Sequence, residues 1–238
     1  MTKTLKNLFT LVICSFVLLG CQSKDNESFV ANKQEYNFYN AYDSINEDET
    51  LVVRSDADIS IDPSDPNEIE ARSDSIVIAT VQSIDGADVI NKSNQTKCLP
   101  YTYGTLIIES VFKGELTSGS EVKYTRMGGI VSYQQYLSSL KTAQREKLIN
   151  QPQVGNAQYV DYSFGDDIKI EVGKSYLMYL KNPENTVTDP SAYSIMWWQG
   201  GMREVQTGNQ ELRSATTNEI QVYNNYTNEW ESLNTVVQ

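Results

Sequence analysis

Runs of β-branched and aromatic residues, separated by glycine or polar turns, recur along the chain from residue 75 to residue 223. The two longest runs, residues 75–84 and 101–112, have the composition and length of β-strands. Gly104, inside the second run, predicts a bulge or a sharp bend. Shorter runs of the same kind cover residues 121–126, 175–180, 193–198, 202–205 and 219–223. Such a chain is expected to be mainly β, folded as a small barrel or a sandwich.

One α-helix is predicted between the third strand and the later ones. Ser132 and Gln135 have the spacing of a capping box at its start, and Pro152 follows its end. An apolar stripe at helical spacing is expected to face the core rather than a partner: Tyr133, Tyr136, Leu137, Leu140, Ala143 and Leu148. A shorter helix is predicted at residues 67–73, with Asn67 as its cap.

The predicted order of three strands, a helical insertion and further strands is the layout of a barrel of the oligomer-binding (OB) type. Three segments carry a further resemblance: Ser-Asp-Ser-Ile-Val-Ile-Ala-Thr-Val at 73–81, Val-Phe-Lys-Gly at 111–114 and Val-Gly-Lys-Ser-Tyr-Leu-Met-Tyr-Leu at 172–180. Over about residues 67–206, the chain resembles a group of uncharacterised surface domains of Gram-positive bacteria. The resemblance implies a barrel of the OB or tissue-inhibitor-of-metalloproteinase type. It implies no functional residue, because it consists of strands and turns.

The N-terminus has the three parts of a signal peptide. Two lysines precede an apolar stretch at residues 8–19, which as a helix is about 18 Å long and too short for a hydrocarbon core of about 30 Å. Residues 18–21, Leu-Leu-Gly-Cys, resemble the lipobox of bacterial lipoproteins. The resemblance implies cleavage after Gly20, a diacylglyceryl group on Cys21 and anchoring at the extracytoplasmic face of the cell membrane. An ordinary secretory signal with an incidental cysteine is the alternative.

Charge and the missing residue types exclude several classes of function. The chain has 19 basic and 31 acidic residues, and removal of residues 1–20 with their two lysines changes the net charge from −12 to 17 − 31 = −14. So acidic a chain is repelled by nucleic acid and by anionic lipid head groups. It has no histidine, which excludes Ser-His-Asp and Cys-His catalysis and all-histidine zinc sites. We therefore expect no nucleic-acid partner, no cofactor and no metal.

The cysteines leave no disulfide to be formed within the chain. Cys14 lies in the predicted signal peptide and Cys21 would be lipidated, so Cys98 has no partner. Because no histidine is present to activate it, Cys98 is interpreted as a thiol without a catalytic role.

Four regions are predicted along the chain. Residues 1–20 are the signal peptide, and residues 21–66 are the lipidated cysteine followed by a mostly disordered acidic tether. Residues 67–210 are the β-barrel domain with its helical insertion at 131–165, and residues 211–238 are a C-terminal strand or extension. The aromatic segment 36–42 within the tether has two interpretations, a sticky part of the tether or a segment docked on the domain.

Tyr193, Trp197 and Trp198 are the candidate binding surface. If all three lie on one strand, neighbouring side chains point to opposite faces, so that one tryptophan faces the core and the other is available for a glycan or a peptide. The alternative is that both tryptophans pack in the core.

The acidic residues do not define a catalytic or metal site. Asp56, Asp58 and Ser60 match the start of a calcium-binding loop, but Ile61 stands where the loop needs glycine. A solvated acidic strand or linker is therefore favoured. Asp166-Asp167 is interpreted as an exposed turn. Glu109 and Glu115 are not assigned as a general acid and base, because the sequence does not give the distance between their carboxylates.

We therefore expect a non-enzymatic surface lipoprotein that binds a protein, a peptide or a cell-wall component. A structural or inhibitor-like interaction domain is a second possibility. The third is a hydrolase that acts on cell-wall glycan through paired carboxylates.

Overall fold

The computed structural model describes residues 36–56, 60–150, 156–165, 167–186, 188–207 and 212–237. One compact unit extends over Tyr36–Gln238. The predicted signal peptide, the cleavage residue Gly20 and the lipidation residue Cys21 lie outside the described residues. Those three statements therefore stay predictions.

Twelve strands and five α-helices lie within the described residues, so the fold is mainly β, as predicted. The strands are β1 (Tyr39–Asn40), β2 (Thr50–Ser55), β3 (Ser75–Ile90), β4 (Lys97–Lys113), β5 (Glu121–Met127), β6 (Gly129–Ser132), β7 (Tyr159–Phe164), β8 (Ser175–Lys181), β9 (Tyr193–Ile195), β10 (Met202–Thr207), β11 (Ile220–Asn224) and β12 (Glu229–Ser232). The helices are α1 (Pro66–Arg72), α2 (Tyr133–Ser139), α3 (Thr142–Ile149), α4 (Trp198–Gly201) and α5 (Leu233–Val236).

The described strands form two sheets. The larger sheet has nine strands in the order β1-β3-β4-β5-β9-β8-β10-β11-β12, and β8 also pairs with β3. Pairing therefore runs from β3 through β4, β5, β9 and β8 and back to β3. Strands β5 and β9 are parallel, and the other pairs in this series are antiparallel. The smaller sheet has the order β2-β7-β6.

The two longest predicted strands are confirmed, and both extend beyond the predicted runs. β3 continues to Ile90, and its register against β4 shifts on both sides of Ile84. Gly104 lies opposite Ile84, where an added Cβ would collide with the backbone carbonyl of Ser83. The irregularity predicted at Gly104 is therefore found on the partner strand. β3 has two bulges, one on each side of the point where its backbone approaches Gly104 of β4.

Both faces of β3 are buried over its first residues, which explains the apolar run at residues 76–79. Val77, Ala79 and Val81 belong to a first core cluster shared with β4, β5 and β8. Ile76 and Ile78 belong to a second cluster, shared with α1, α5 and β11. A third cluster lies against the smaller sheet and consists of Val89, Val131, Tyr136, Val160 and Tyr162.

The predicted helix begins as expected but is divided into α2 and α3. The capping box is confirmed, because the Ser132 hydroxyl accepts from the Gln135 N–H at 3.2 Å and the Gln135 side chain accepts from the Ser132 N–H at 3.0 Å. α2 ends where Leu140 adopts an extended backbone. Tyr136 and Leu137 are buried, and Tyr133, Leu140 and Leu148 pack partly buried against a core cluster, so the core-facing prediction is confirmed for these five residues. It is wrong for Ala143, which is exposed on α3.

The prediction of a mostly disordered tether over residues 21–66 is wrong for residues 39–55. β1 pairs in parallel with β3, and β2 pairs in parallel with β7 along all six of its residues. The docked interpretation of the aromatic segment 36–42 is therefore the one that the structure supports. α1 is confirmed, although its cap is Asp65, whose carboxylate accepts from the Asn67 N–H at 2.9 Å.

Two other predicted boundaries also differ from the structure. Part of the insertion predicted at 131–165 is β6 and β7, which belong to the smaller sheet. β11 pairs with β10, so the boundary predicted between residues 210 and 211 passes through the larger sheet.

Candidate functional site

The predicted aromatic surface is not formed as a single exposed patch. β9 ends at Ile195, and Trp197 and Trp198 have positive φ angles of 65° and 47°, so the strand predicted over residues 193–198 is wrong at its end. All three candidate side chains are half-buried. Tyr193 packs against the first core cluster, Trp197 packs against the second, and the Trp198 ring lies 5.2 Å from the ring of Phe164.

Backbone crowding explains the turn at the two tryptophans. A Cβ on Gly201 would collide with the Met196 carbonyl, and a Cβ on Gly200 would collide with the Pro63 carbonyl. The chain therefore folds back tightly at α4, and the alternation of side chains in a strand does not apply there.

The exposed apolar side chains point to a different site. Six large hydrophobic side chains of the described residues are exposed, and three of them, Phe38, Tyr39 and Val52, line one cavity of about 780 Å³. We call this cavity the Phe38 groove. Its lining consists of Phe38, Tyr39, Asn40, Tyr42, Asp43, Ile45, Glu47, Thr50, Val52, Ile84, Ile130, Asp161, Lys169, Ile170, Glu171 and Val172.

Local capping brings the two ends of the N-terminal segment to the same groove. The Asn40 side chain accepts from the Tyr42 N–H at 3.1 Å and begins a 3₁₀ turn at Ala41–Ser44. The Asn46 side chain caps a second 3₁₀ turn at Glu47–Glu49 in the same way. The chain thereby passes from β1 to β2 by two short turns, since capping asparagines satisfy backbone donors that the turns leave free.

Tyr42 fixes this segment to the rest of the unit. Its hydroxyl lies 3.1 Å from the Thr102 hydroxyl and accepts from the Ile130 N–H at 3.2 Å. Burial raises the pKa of Tyr42 above its usual value, although these hydrogen bonds oppose the shift. Tyr42 therefore stays a neutral phenol at physiological pH, and it holds one side of the groove in place.

The groove carries an excess of acidic side chains. Asp43, Glu47, Asp161 and Glu171 line it, against the single base Lys169. Lys169 Nζ lies 2.9 Å from Asp161 Oδ2, so the base is already paired. The lining therefore combines exposed aromatic and aliphatic surface with net negative charge.

A buried ion pair lies next to the groove. Arg126 Nη2 lies 2.6 Å from Asp167 Oδ1 in a small cavity of about 70 Å³, which shares five lining residues with the groove. Burial raises the pKa of the Asp167 carboxyl, although the guanidinium opposes the shift. The prediction of an exposed turn is therefore wrong for Asp167, and Asp166 lies outside the described residues.

The other acidic candidates have structural contacts. Glu109 lies 2.5 Å from the Arg213 guanidinium and accepts from the Thr80 hydroxyl at 2.9 Å. Glu115 is exposed. Within the described part of the chain, no group of three or more acidic or cysteine side chains is placed to hold a metal ion.

Cys98 is a half-buried residue of β4. Burial raises the pKa of its thiol to about 11, and the carboxylate of Asp88 acts in the same direction. The thiol is therefore protonated at neutral pH, which is unfavourable for a nucleophile.

Compared with known proteins, the chain matches no family model, no curated protein and no solved structure. Among the helices of the described residues, none has both the length and the apolar character needed to cross a membrane.

Proposed function

We propose that this protein is a membrane-anchored, extracytoplasmic binding protein, and that the Phe38 groove takes a peptide segment of its ligand. One observation carries the proposal: half of the exposed large hydrophobic side chains of the described residues, three of six, line this single groove. Contiguous exposed apolar surface with a polar rim is typical of an interaction site. The aromatic side chains of Phe38 and Tyr39 are the residue types that contribute most to binding energy.

We further propose that the scaffold of this site is an OB-type barrel. The series β3-β4-β5-β9-β8, which returns to β3, supports this interpretation, as does the parallel pairing of β5 with β9. The helix α2 follows β5 in the chain, where such a barrel carries its helical insertion. The groove would then lie beside the barrel, between it and the smaller sheet, and use the N-terminal segment as one wall.

The proposed anchor is the lipid on Cys21. The N-terminal Leu-Leu-Gly-Cys sequence supports it, and two acyl chains are enough for stable membrane attachment. With residues 1–20 removed, the net charge of −14 disfavours direct contact of the chain with anionic lipid or nucleic acid.

Selection from a random peptide library displayed on phage tests the groove. The full chain should enrich peptides that no longer bind when the groove is changed by Tyr39→Ser together with Val52→Ser. Leu99→Ser together with Ile149→Ser is the matched control, because it also removes two exposed apolar side chains, and neither of them lines the groove. Selected peptides that bind all three proteins equally would contradict the proposal.

A glycan hydrolase is the second candidate, and the four carboxylates that line the groove favour it. A general acid and a second carboxylate are the requirement for glycoside hydrolysis. Release of reducing ends from purified cell-wall glycan, abolished by Glu47→Gln or Glu171→Gln, would support this function. Absence of release by the full chain at any pH between 4 and 8 would eliminate it.

A further inference from the structure

One edge of β2 is open among the described strands. β7 pairs with the other edge, where the carbonyls of Glu49 and Ser55 accept backbone hydrogen bonds at 2.9 and 3.0 Å. Because successive residues of a strand direct their backbone groups to opposite sides, the N–H and C=O groups of Val52 and Arg54 face away from β7, as does the C=O of Thr50. This edge therefore presents a row of donors and acceptors to whatever lies beside it.

β2 has little of the protection that edge strands normally carry. Its sequence Thr-Leu-Val-Val-Arg-Ser contains no proline, its register against β7 shows no bulge, and Arg54 is its single charged side chain. Val52, at its middle, is 56% exposed. An edge strand with so few of the features that block pairing is a template for another strand.

The Phe38 groove lies along this edge. Thr50 and Val52 of β2 line the groove, and so do Tyr39 and Asn40 of β1. β1 is itself the outermost strand of the larger sheet within the described residues. The groove is therefore bordered by the edge strands of both sheets.

We propose, on the basis of the ligand-binding function proposed above, that the groove binds an extended peptide of alternating apolar and basic residues, which adds to β2 as a further strand. Main-chain hydrogen bonds to the β2 edge hold the peptide, and side chains at alternate positions determine its specificity. Apolar side chains contact Phe38, Tyr39 and Val52. Basic side chains reach Glu47 and compete with Lys174, whose Nζ lies 2.9 Å from Glu171 Oε1, for the Glu171 carboxylate.

Charge favours a basic peptide over the other possible occupants. A second copy of the chain brings the same acidic lining and a net charge of −12, so like charges oppose its docking. Residues 22–35 of the chain contain two lysines and three acidic residues, a net charge of −1, and are no better matched. A peptide rich in lysine or arginine complements the groove.

The probe is the fluorescein-labelled peptide Lys-Val-Lys-Val-Lys-Val-Lys, titrated with the full chain and followed by fluorescence anisotropy. Two matched peptides are methylated on backbone nitrogens, one at its valines and the other at its lysines. Both are needed because the backbone N–H groups of either set can face β2. They keep every side chain and charge but lose backbone donors. A fourth peptide has glutamate in place of lysine.

We expect the unmethylated lysine peptide to bind, and one of the N-methylated peptides to bind at least about tenfold more weakly because several hydrogen bonds are lost. The glutamate peptide should not bind. Val52→Pro, which removes an outward N–H from β2, should also weaken binding by about tenfold. Val52→Ala is its control, because it shortens the side chain but keeps that N–H. If Val52→Pro fails to fold by circular dichroism, the comparison of the methylated peptides decides alone.

Several results would overturn strand addition. Equal affinity for all lysine peptides, with binding still weakened by Tyr39→Ser, would leave the groove as a binding site and remove β2 from the mechanism. Failure of the lysine peptide to bind, while phage-selected peptides bind in a groove-dependent way, would overturn the basic class of ligand. A dimer that Val52→Pro dissociates in analytical ultracentrifugation would assign the edge to a second copy. Binding of a synthetic peptide of residues 22–35 as tightly as the lysine peptide would assign the groove to the chain itself.

Discussion

Arg126 and Asp167 bring opposite charges into the interior, with side-chain exposures of 8% and 2%. Burial raises the pKa of the Asp167 carboxyl even in the presence of the guanidinium. The Arg126→Met variant leaves this carboxylate without its counter-charge, so we expect the free energy of unfolding at pH 7 to fall by about 3–5 kcal/mol. Chemical denaturation of the purified chain measures the change.

The pH dependence distinguishes this cause from a simple loss of packing. A carboxyl whose pKa is raised by folding stabilises the folded state below its unfolded pKa, and that contribution is lost as pH rises through the folded pKa. In Arg126→Met the pKa of Asp167 rises further, so the deficit should be largest at pH 7 and shrink toward about pH 4, near the unfolded value. Lys174→Met, which breaks exposed pairs with Glu171 and Glu204, is the control and should cost about 1 kcal/mol or less. A deficit in Arg126→Met that stays constant with pH would contradict this explanation.

Among the secondary-structure elements, those with both faces buried were predictable from the sequence. β3 has the apolar run at residues 76–79 and β8 has the apolar run at residues 176–180, because in both runs each face meets a core cluster. β2 and β7 were not predicted, because β2 packs only Leu51 and Val53 against the third cluster while Val52 and Arg54 are exposed. The parallel pairing of β2 with β7 joins distant parts of the chain, and no local sequence pattern indicates which strand β2 pairs with.

The pairing of β3 with β4 depends on the absence of a side chain at Gly104. In Gly104→Ala the new Cβ would meet the Ser83 carbonyl and lie 3.0 Å from the Tyr124 ring, and a backbone obstacle cannot rotate away. We expect the free energy of unfolding to fall by about 1–3 kcal/mol or more, and β4 amides to exchange hydrogen faster. Urea denaturation and native-state hydrogen exchange measure these effects. Thr105→Ala on the same strand should cost less than about 1 kcal/mol, and equal losses in the two variants would argue against a steric cause.

At the scale of the whole molecule, sequence patterns did not predict the Phe38 groove. Its lining comes from segment 38–52, from Ile84 and Ile130, and from the stretch 161–172, which only the tertiary fold brings together. The aromatic segment 36–42 was the one local signal of this groove, because aromatic residues are unusual in a polar, acidic region of a chain. The tryptophan pair was misleading because the chain turns tightly at α4, where Gly200 lies against the distant Pro63 carbonyl. Both rings then pack against neighbouring side chains.

The proposed membrane attachment depends on Cys21 alone, because so acidic a chain has no charge-based attraction to an anionic membrane. Cys21→Ser should therefore move the protein from the membrane fraction to the soluble or secreted fraction, or leave it as an uncleaved precursor. Cell fractionation with immunoblotting measures the distribution, and mass spectrometry of the wild-type N-terminal peptide detects the diacylglyceryl group. Cys98→Ser is the matched control and should stay with the membrane, because this thiol is half-buried in β4 and its pKa is raised to about 11. An unmodified Cys21 in the wild-type protein would refute the anchor and leave secretion as the alternative.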